Sequence, residues 1–134
     1  MKRPLKLRTF QIGARPKRGE GLRIGATRRP PRGVPKARWQ LDGYFDIWLP
    51  TIAPSAALLG RYRRRNWEDL AVRRSFFQAY ERELGKTPAR QTVQLLAALA
   101  RRTPIAVGCF CDDESRCHRG RLYTVLRRAA TKTK

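Results

Sequence analysis

Acidic side chains are scarce in this sequence. Asp and Glu number 10 against 31 Lys and Arg, which leaves a formal net charge of +21 at pH 7. A chain so short of anions is drawn to polyanions, and nucleic acid or a nucleotide is the partner class that the composition points to. Most of the cations are arginine, whose planar fork matches phosphate bidentately and stacks on bases. Cysteine is rarer still: Cys109, Cys111 and Cys117 are the three in the chain. They are odd in number and crowded into nine residues, unlike the spaced, even framework of a disulfide-rich secreted domain. No apolar run approaches the ~20 residues that span a bilayer. The basic start Met1-Lys2-Arg3 leads into no apolar segment, so no signal peptide is expected. Together these absences predict a cytoplasmic protein with reduced thiols and no membrane partner. No internal repeat is present.

The 134 residues suit one domain. A chain of this length buries a core without metal or disulfide support. The expected domain takes in residues 1–134, its core over about 5–130, with a flexible basic N-terminus and a frayed 131–134 tail. Partial alternation over Leu5–Ile12 predicts a half-buried strand, and Leu22–Thr27 a second. Prolines and Gly33 make Arg28–Lys36 an irregular basic loop. Tyr44–Leu49 is a short extended piece stopped by Pro50, and a short helix begins near Pro54-Ser55. A longer helix follows, with Asn66 as cap, Glu68 and Asp69 in its first turn, and Trp67, Leu70, Phe77, Tyr80 and Leu84 on one face; Gly85 ends it. Thr87 caps a third helix, whose stripe is Leu95, Leu96 and Leu99. The nearly continuous apolar run Ile105–Cys111 reads as a strand buried on both faces. A last helix runs from about Cys117 to Ala129, with Leu122, Val125, Leu126 and Ala129 inward. This order predicts an α/β fold, a small mixed or mostly parallel sheet flanked by helices.

Chemistry concentrates between Cys109 and Arg121. A buried strand ends there, a polar loop follows and a helix begins, the arrangement in which open α/β sheets place ligands. Cys117, near the helix start with Arg116 and Arg119 beside it, sits where a thiol pKa falls, while Asp112, Asp113 and Glu114 act against that unless they cap the helix. Strand alternation puts Cys109 and Cys111 on one face. Four readings follow. The segment is a thiol site, with Cys109 or Cys117 as nucleophile or redox partner and His118 nearby. It is a zinc site using Cys109, Cys111, Cys117 and His118, although C-x-C…C-H is not a standard zinc spacing. It is a C-x4-R loop from Cys111 to Arg116, whose Asp-Asp-Glu interior is ill-suited to cradling an anion. Or small buried cysteines pack the core and His118 donates to a backbone carbonyl. Apart from this segment, the run Arg61-Tyr62-Arg63-Arg64-Arg65 offers a phosphate-tracking surface with Tyr62 able to stack, or a solvated helix end.

The spacing of Cys109 to Cys117-His118-Arg119 resembles that of the bacterial family known as domain of unknown function 488. Pro31-Arg32-Gly33, Trp48-Leu49 with Ala53-Pro54-Ser55, and Trp67, Phe76, Tyr80 and Glu83-Leu84 are similar to further elements of that family, in the same order, over roughly residues 20–128. The resemblance implies a compact α/β domain and no established reaction. Carried over position by position, it implies a pocket of Arg32, Trp48, Ser55, Cys109, Cys117, His118 and Arg119. Each has a structural alternative: Arg32 pairs with Asp46, Trp48 fills the core, Ser55 caps a helix, Arg119 braces the loop through Asp113, and His118 is a satisfied structural histidine.

The leading expectation is a module that binds a phosphorylated or nucleic-acid ligand, with Arg32, Trp48, Ser55, Arg116 and Arg119 as ligand-binding residues. Cys109, Cys117 and His118 are its catalytic candidates, and no cofactor is required. The rivals are a non-enzymatic nucleic-acid-binding protein acting through surface charge, and a small metal-binding protein.

Overall fold

The apolar run at 105–109 forms the middle of the molecule. In the computed structural model, which describes residues 5–111 and 113–132, it is strand β4 (Ile105–Cys109), buried at every position. On one side β4 pairs in parallel with β1 (Leu7–Gln11), from Leu7↔Ile105 to Gln11↔Cys109. On the other it pairs in parallel with β2 (Leu22–Gly25), from Leu22↔Ile105 to Gly25↔Gly108. The two-residue strand β3 (Ile47–Trp48) closes the edge beside β2, so the sheet order is β1-β4-β2-β3, parallel throughout. All strand ends of one polarity therefore lie along one edge, which is what makes a shared site there geometrically available.

Four helices follow the expected order: α1 (Ala56–Tyr62), α2 (Leu70–Leu84), α3 (Ala89–Ala100) and α4 (His118–Lys132). All contribute to one core, built from Leu58, Phe76, Phe77, Tyr80, Leu84, Val93, Leu96, Leu122 and Leu126 against Leu7, Ile24, Ile105 and Val107 of the sheet. Ile105, Val107 and Cys109 alternate onto this helix-bearing face; Ala106 packs with the opposite cluster. Among the described residues, that other face carries no core residue from α1 to α4. Phe10, Ile12, Phe45 and Ala106 pack there with Trp39 and Tyr44 of the β2–β3 connection and Trp48 of β3. The helices thus flank one face only, and a loop layer covers the second.

Buried Arg23 organises that layer. Its guanidinium lies 4.1 Å from the Phe10 ring centroid, donates to Ala14 O (2.8 Å) and Gly43 O (3.0 Å), and pairs with buried Glu20 at 2.9 Å. Two loops that have few apolar side chains are thereby tied to the sheet through their carbonyls. A buried charge is tolerated because its partners replace the lost water.

Several local expectations are corrected. Asp69, not Asn66, caps α2, its carboxylate accepting from Ala71 N; Asn66 accepts from Glu68 N in the preceding turn, so Glu68 lies outside the helix and Leu70 is exposed. Thr87 does not cap α3: the cap position belongs to Pro88, and the inward stripe is Val93, Leu96, Ala97 and Ala100, with Leu95 exposed. Cys111 lies beyond the end of β4 and is exposed, so it shares no strand face with Cys109. The expected flexibility of residues 1–4 and 133–134, and the role given to Asp112, fall outside the described residues. Within the tail, Thr131 and Lys132 belong to α4.

Candidate functional site at the carboxyl edge of the sheet

Cys109 is the last residue of the central strand, and Cys117 immediately precedes α4. The loop between them doubles back over the first turn of α4, and Gly120 permits it: a Cβ there would stand 2.9 Å from Glu114 O. The return brings the two sulfurs together as a bonded pair. Cys109 is 1% and Cys117 2% exposed. Their Cα atoms are 7.8 Å apart, against the usual disulfide span of roughly 4.4–6.8 Å.

His118 joins them. Its Nδ1 lies 3.7 Å from Cys117 Sγ, and its Nε2 lies 2.6 Å from Ala26 O at the end of β2. A carbonyl only accepts, so Nε2 carries the proton and donates, leaving the Nδ1 lone pair toward the sulfurs. Burial lowers the His118 pKa below its ordinary value, and the nearby Arg119 charge lowers it further, while the Ala26 hydrogen bond raises it. The ring is therefore neutral at pH 7, and Tyr80 meets it edge-on at 5.5 Å.

Arg119 is also buried. Its Nη1 lies 3.6 Å from Cys109 Sγ and donates to the carbonyls of Cys109 and Cys111. It braces the loop through these carbonyls, and it puts a positive charge beside a sulfur. Its Nε has no hydrogen-bond partner among the described residues. Arg116 faces outward: its guanidinium pairs with Glu68 and holds that carboxyl below its ordinary pKa, while its carbonyl accepts from Trp67 Nε1 at 3.1 Å.

Among the described residues, Glu114 lines three cavities beside this cluster. One of about 320 Å³ runs along the end of β1 past Arg15, Lys17 and Arg119. One of about 260 Å³ reaches Cys117 between Phe77 and Arg121. The third, about 680 Å³, opens between Trp67, Cys111 and Arg116. The Glu114 carboxylate accepts from Thr9 Oγ1, which draws the loop onto the end of β1. A further cavity of about 490 Å³, between α2, α3 and α4, contains neither cysteine nor histidine.

The remaining sequence candidates lie elsewhere. Trp48 donates from Nε1 to Thr27 O and meets Trp39 edge-on, within the loop layer. Ser55 caps α1, its Oγ accepting from Leu58 N and donating to Glu83. Arg32 is exposed on the β2–β3 loop; Asp46 accepts from Arg23 N and Gln40 instead. Tyr62 spends its ring on Phe76 and its hydroxyl on Ser75, which leaves little face for a base. Glu114, Arg15, Lys17 and Trp67 are the site residues that sequence reasoning passed over as such. Only Glu114 had a local signal, its place in the acidic stretch before Cys117.

Neither a curated protein nor a solved structure is significantly similar to the chain. A family model does match, that of the active DUF488-N3 subclade, over residues 7–130, from the first strand to nearly the end of α4. The match takes in the whole sheet and the Cys109–Arg119 segment, and the chain belongs to the DUF488-N3a family.

Proposed function

We propose that this protein binds a phosphorylated or nucleic-acid ligand at the carboxyl edge of its sheet, with Cys109, Cys117 and His118 as the chemically active part of the site. One observation carries the reading: two cysteines whose sulfurs meet, a neutral histidine and a buried arginine converge at the end of the central strand, beside cavities walled by Arg15, Lys17 and Arg116. Arginine and lysine at such a mouth recognise phosphate, and the cluster behind them holds polarisable sulfur out of bulk water. The word "active" in the family's description agrees with this reading. A reducing, cytoplasmic setting belongs to it as well, since the chemistry needs reduced sulfurs.

The test separates a site from mere surface charge. Binding of a fluorescein-labelled single-stranded oligonucleotide is followed by anisotropy over a salt series. Arg15→Gln/Lys17→Gln, at the proposed mouth, is compared with Arg102→Gln/Arg127→Gln, exposed residues toward the opposite end. The first pair should weaken binding about tenfold more than the second, although both remove two charges. Bound oligonucleotide should also slow alkylation of reduced Cys109 and Cys117. Equal losses in the two pairs, and no protection, would mean adsorption through net charge, whose affinity falls steeply with salt whatever the cysteines do.

A further inference from the structure

We infer that Cys109, Cys117 and His118 are three ligands of a zinc ion, with a fourth coordination position open to the cavity beside Cys117. The inference rests on the cluster being the working part of the site and names the ion that it holds. The donor atoms of the three residues lie within 4.8 Å of one another. Cys109 is held by the central strand and His118 by α4, so the donors converge from rigid elements. A Cα separation of 7.8 Å is wide for sulfurs that bond only to each other, and it suits two thiolates meeting on an atom between them.

The surrounding hydrogen bonds match what a metal needs. A ligating histidine donates its other N–H to a carbonyl or carboxylate, which fixes the tautomer and aims the free nitrogen. His118 does this through Nε2 to Ala26 O, and its Nδ1 faces the sulfurs. Arg119 Nη1, 3.6 Å from Cys109 Sγ, supplies an N–H to a thiolate that zinc only partly neutralises. Two thiolates and a neutral imidazole form a soft donor set that favours zinc over calcium or magnesium. Cys111, the fourth ligand in the sequence-based alternative, is exposed and outside the group. Three protein ligands with a vacant position are the pattern of zinc centres that react, whereas purely structural centres are closed by four. The vacancy would face the cavity of about 260 Å³ that Cys117 and Glu114 line.

The experiment uses the full chain, purified with a reductant and without chelator. Elemental analysis should find one zinc per chain in the wild type and in Cys111→Ser, and at least a tenfold lower content in Cys109→Ser and Cys117→Ser. Because those variants can misfold, stripped and reduced wild-type protein is also titrated with cobalt(II) alone. A 1:1 endpoint with thiolate-to-cobalt absorption supports the site. No uptake by the reduced wild type, or uptake lost in Cys111→Ser and kept in Cys117→Ser, overturns it. The oligonucleotide comparison repeated on metal-free protein separates the two proposals. Selective binding at Arg15 and Lys17 without metal uptake sinks the zinc inference alone, and metal uptake with unselective binding sinks the ligand reading alone.

Discussion

The two faces of the sheet are held by different physics. The helix face is an aliphatic and aromatic core in which Leu122, Leu126, Ile105 and Val107 are fully buried. The loop face has a smaller, mostly aromatic cluster around Phe10, Phe45 and Trp39, and the Arg23–Glu20 pair lies over Phe10, bonded to two loop carbonyls. Burial on the helix face is non-directional and tolerates small shifts. The loop face depends on a handful of directional bonds, and losing one partner strands the other. Cys109 stands at the edge where the two meet. Its side chain follows the helix face, while Arg15 and Lys17 of the neighbouring mouth ride on the loop that Arg23 holds.

The largest break in this comparison should come from the loop face. Arg23→Met leaves the Glu20 carboxylate buried without its partner and should cost about 3–5 kcal/mol in urea denaturation. The double variant Glu20→Met/Arg23→Met should recover more than half of that loss; a double variant as unstable as the single would show that the carbonyl bonds, not the pairing, hold the layer. On the helix face, Leu126→Ala should cost about 3 kcal/mol through lost burial and a cavity. Its effect on oligonucleotide affinity should be small, because α4 would loosen far from the mouth, whereas Arg23→Met should weaken both stability and affinity.

Gly108→Ala sharpens the comparison within a single strand. A Cβ there would meet the Phe10 ring at 2.5 Å, and Arg23 already covers that ring. Overpacking should cost about 1–3 kcal/mol, measured by thermal melting. The smallest effect belongs to the exposed Glu68–Arg116 pair. Because Glu68 has its pKa lowered, any stability it lends is present above the ordinary carboxyl range and is lost as pH falls through the shifted value. Glu68→Gln should leave the melting temperature at neutral pH almost unchanged and flatten only this acid limb. A large loss at neutral pH would mean that the Arg116 loop is coupled to the core more tightly than its exposure implies.

Much of the architecture was legible locally. The run Ile105–Cys111 declared a central strand, which the structure ends at Cys109, because a strand covered on both faces has no need to alternate, and Ser55 and Gly85 mark helix ends through backbone chemistry that operates over a few residues. The misread caps show where such signals stop. Asn66, Asp69 and Thr87 all have side chains able to cap, and which of them does so depends on how α2 and α3 pack against α4 and each other. Leu95 and Leu70 are apolar at helical spacing yet exposed, because the rotation of each helix is set by its neighbours and not by its own stripe. The one-sided covering of the sheet was equally hidden. Arg23 reads as a strand-surface charge, and only the return of the loops at Ala14 and Gly43 makes it a buried anchor.

The same division runs through the site. By itself the sequence determined the residue types, their crowding between Cys109 and Arg119, the basicity and the family to which the chain belongs, because composition and spacing are properties of the chain. The tertiary structure decided that Cys117, and not Cys111, meets Cys109; that His118 turns its bare nitrogen toward the sulfurs; and that Glu114, Arg15 and Lys17 share the mouth with Arg119. These are contacts across the ends of β1, β2 and β4, strands separated by many residues, and their meeting depends on the strand order, which no local pattern encodes.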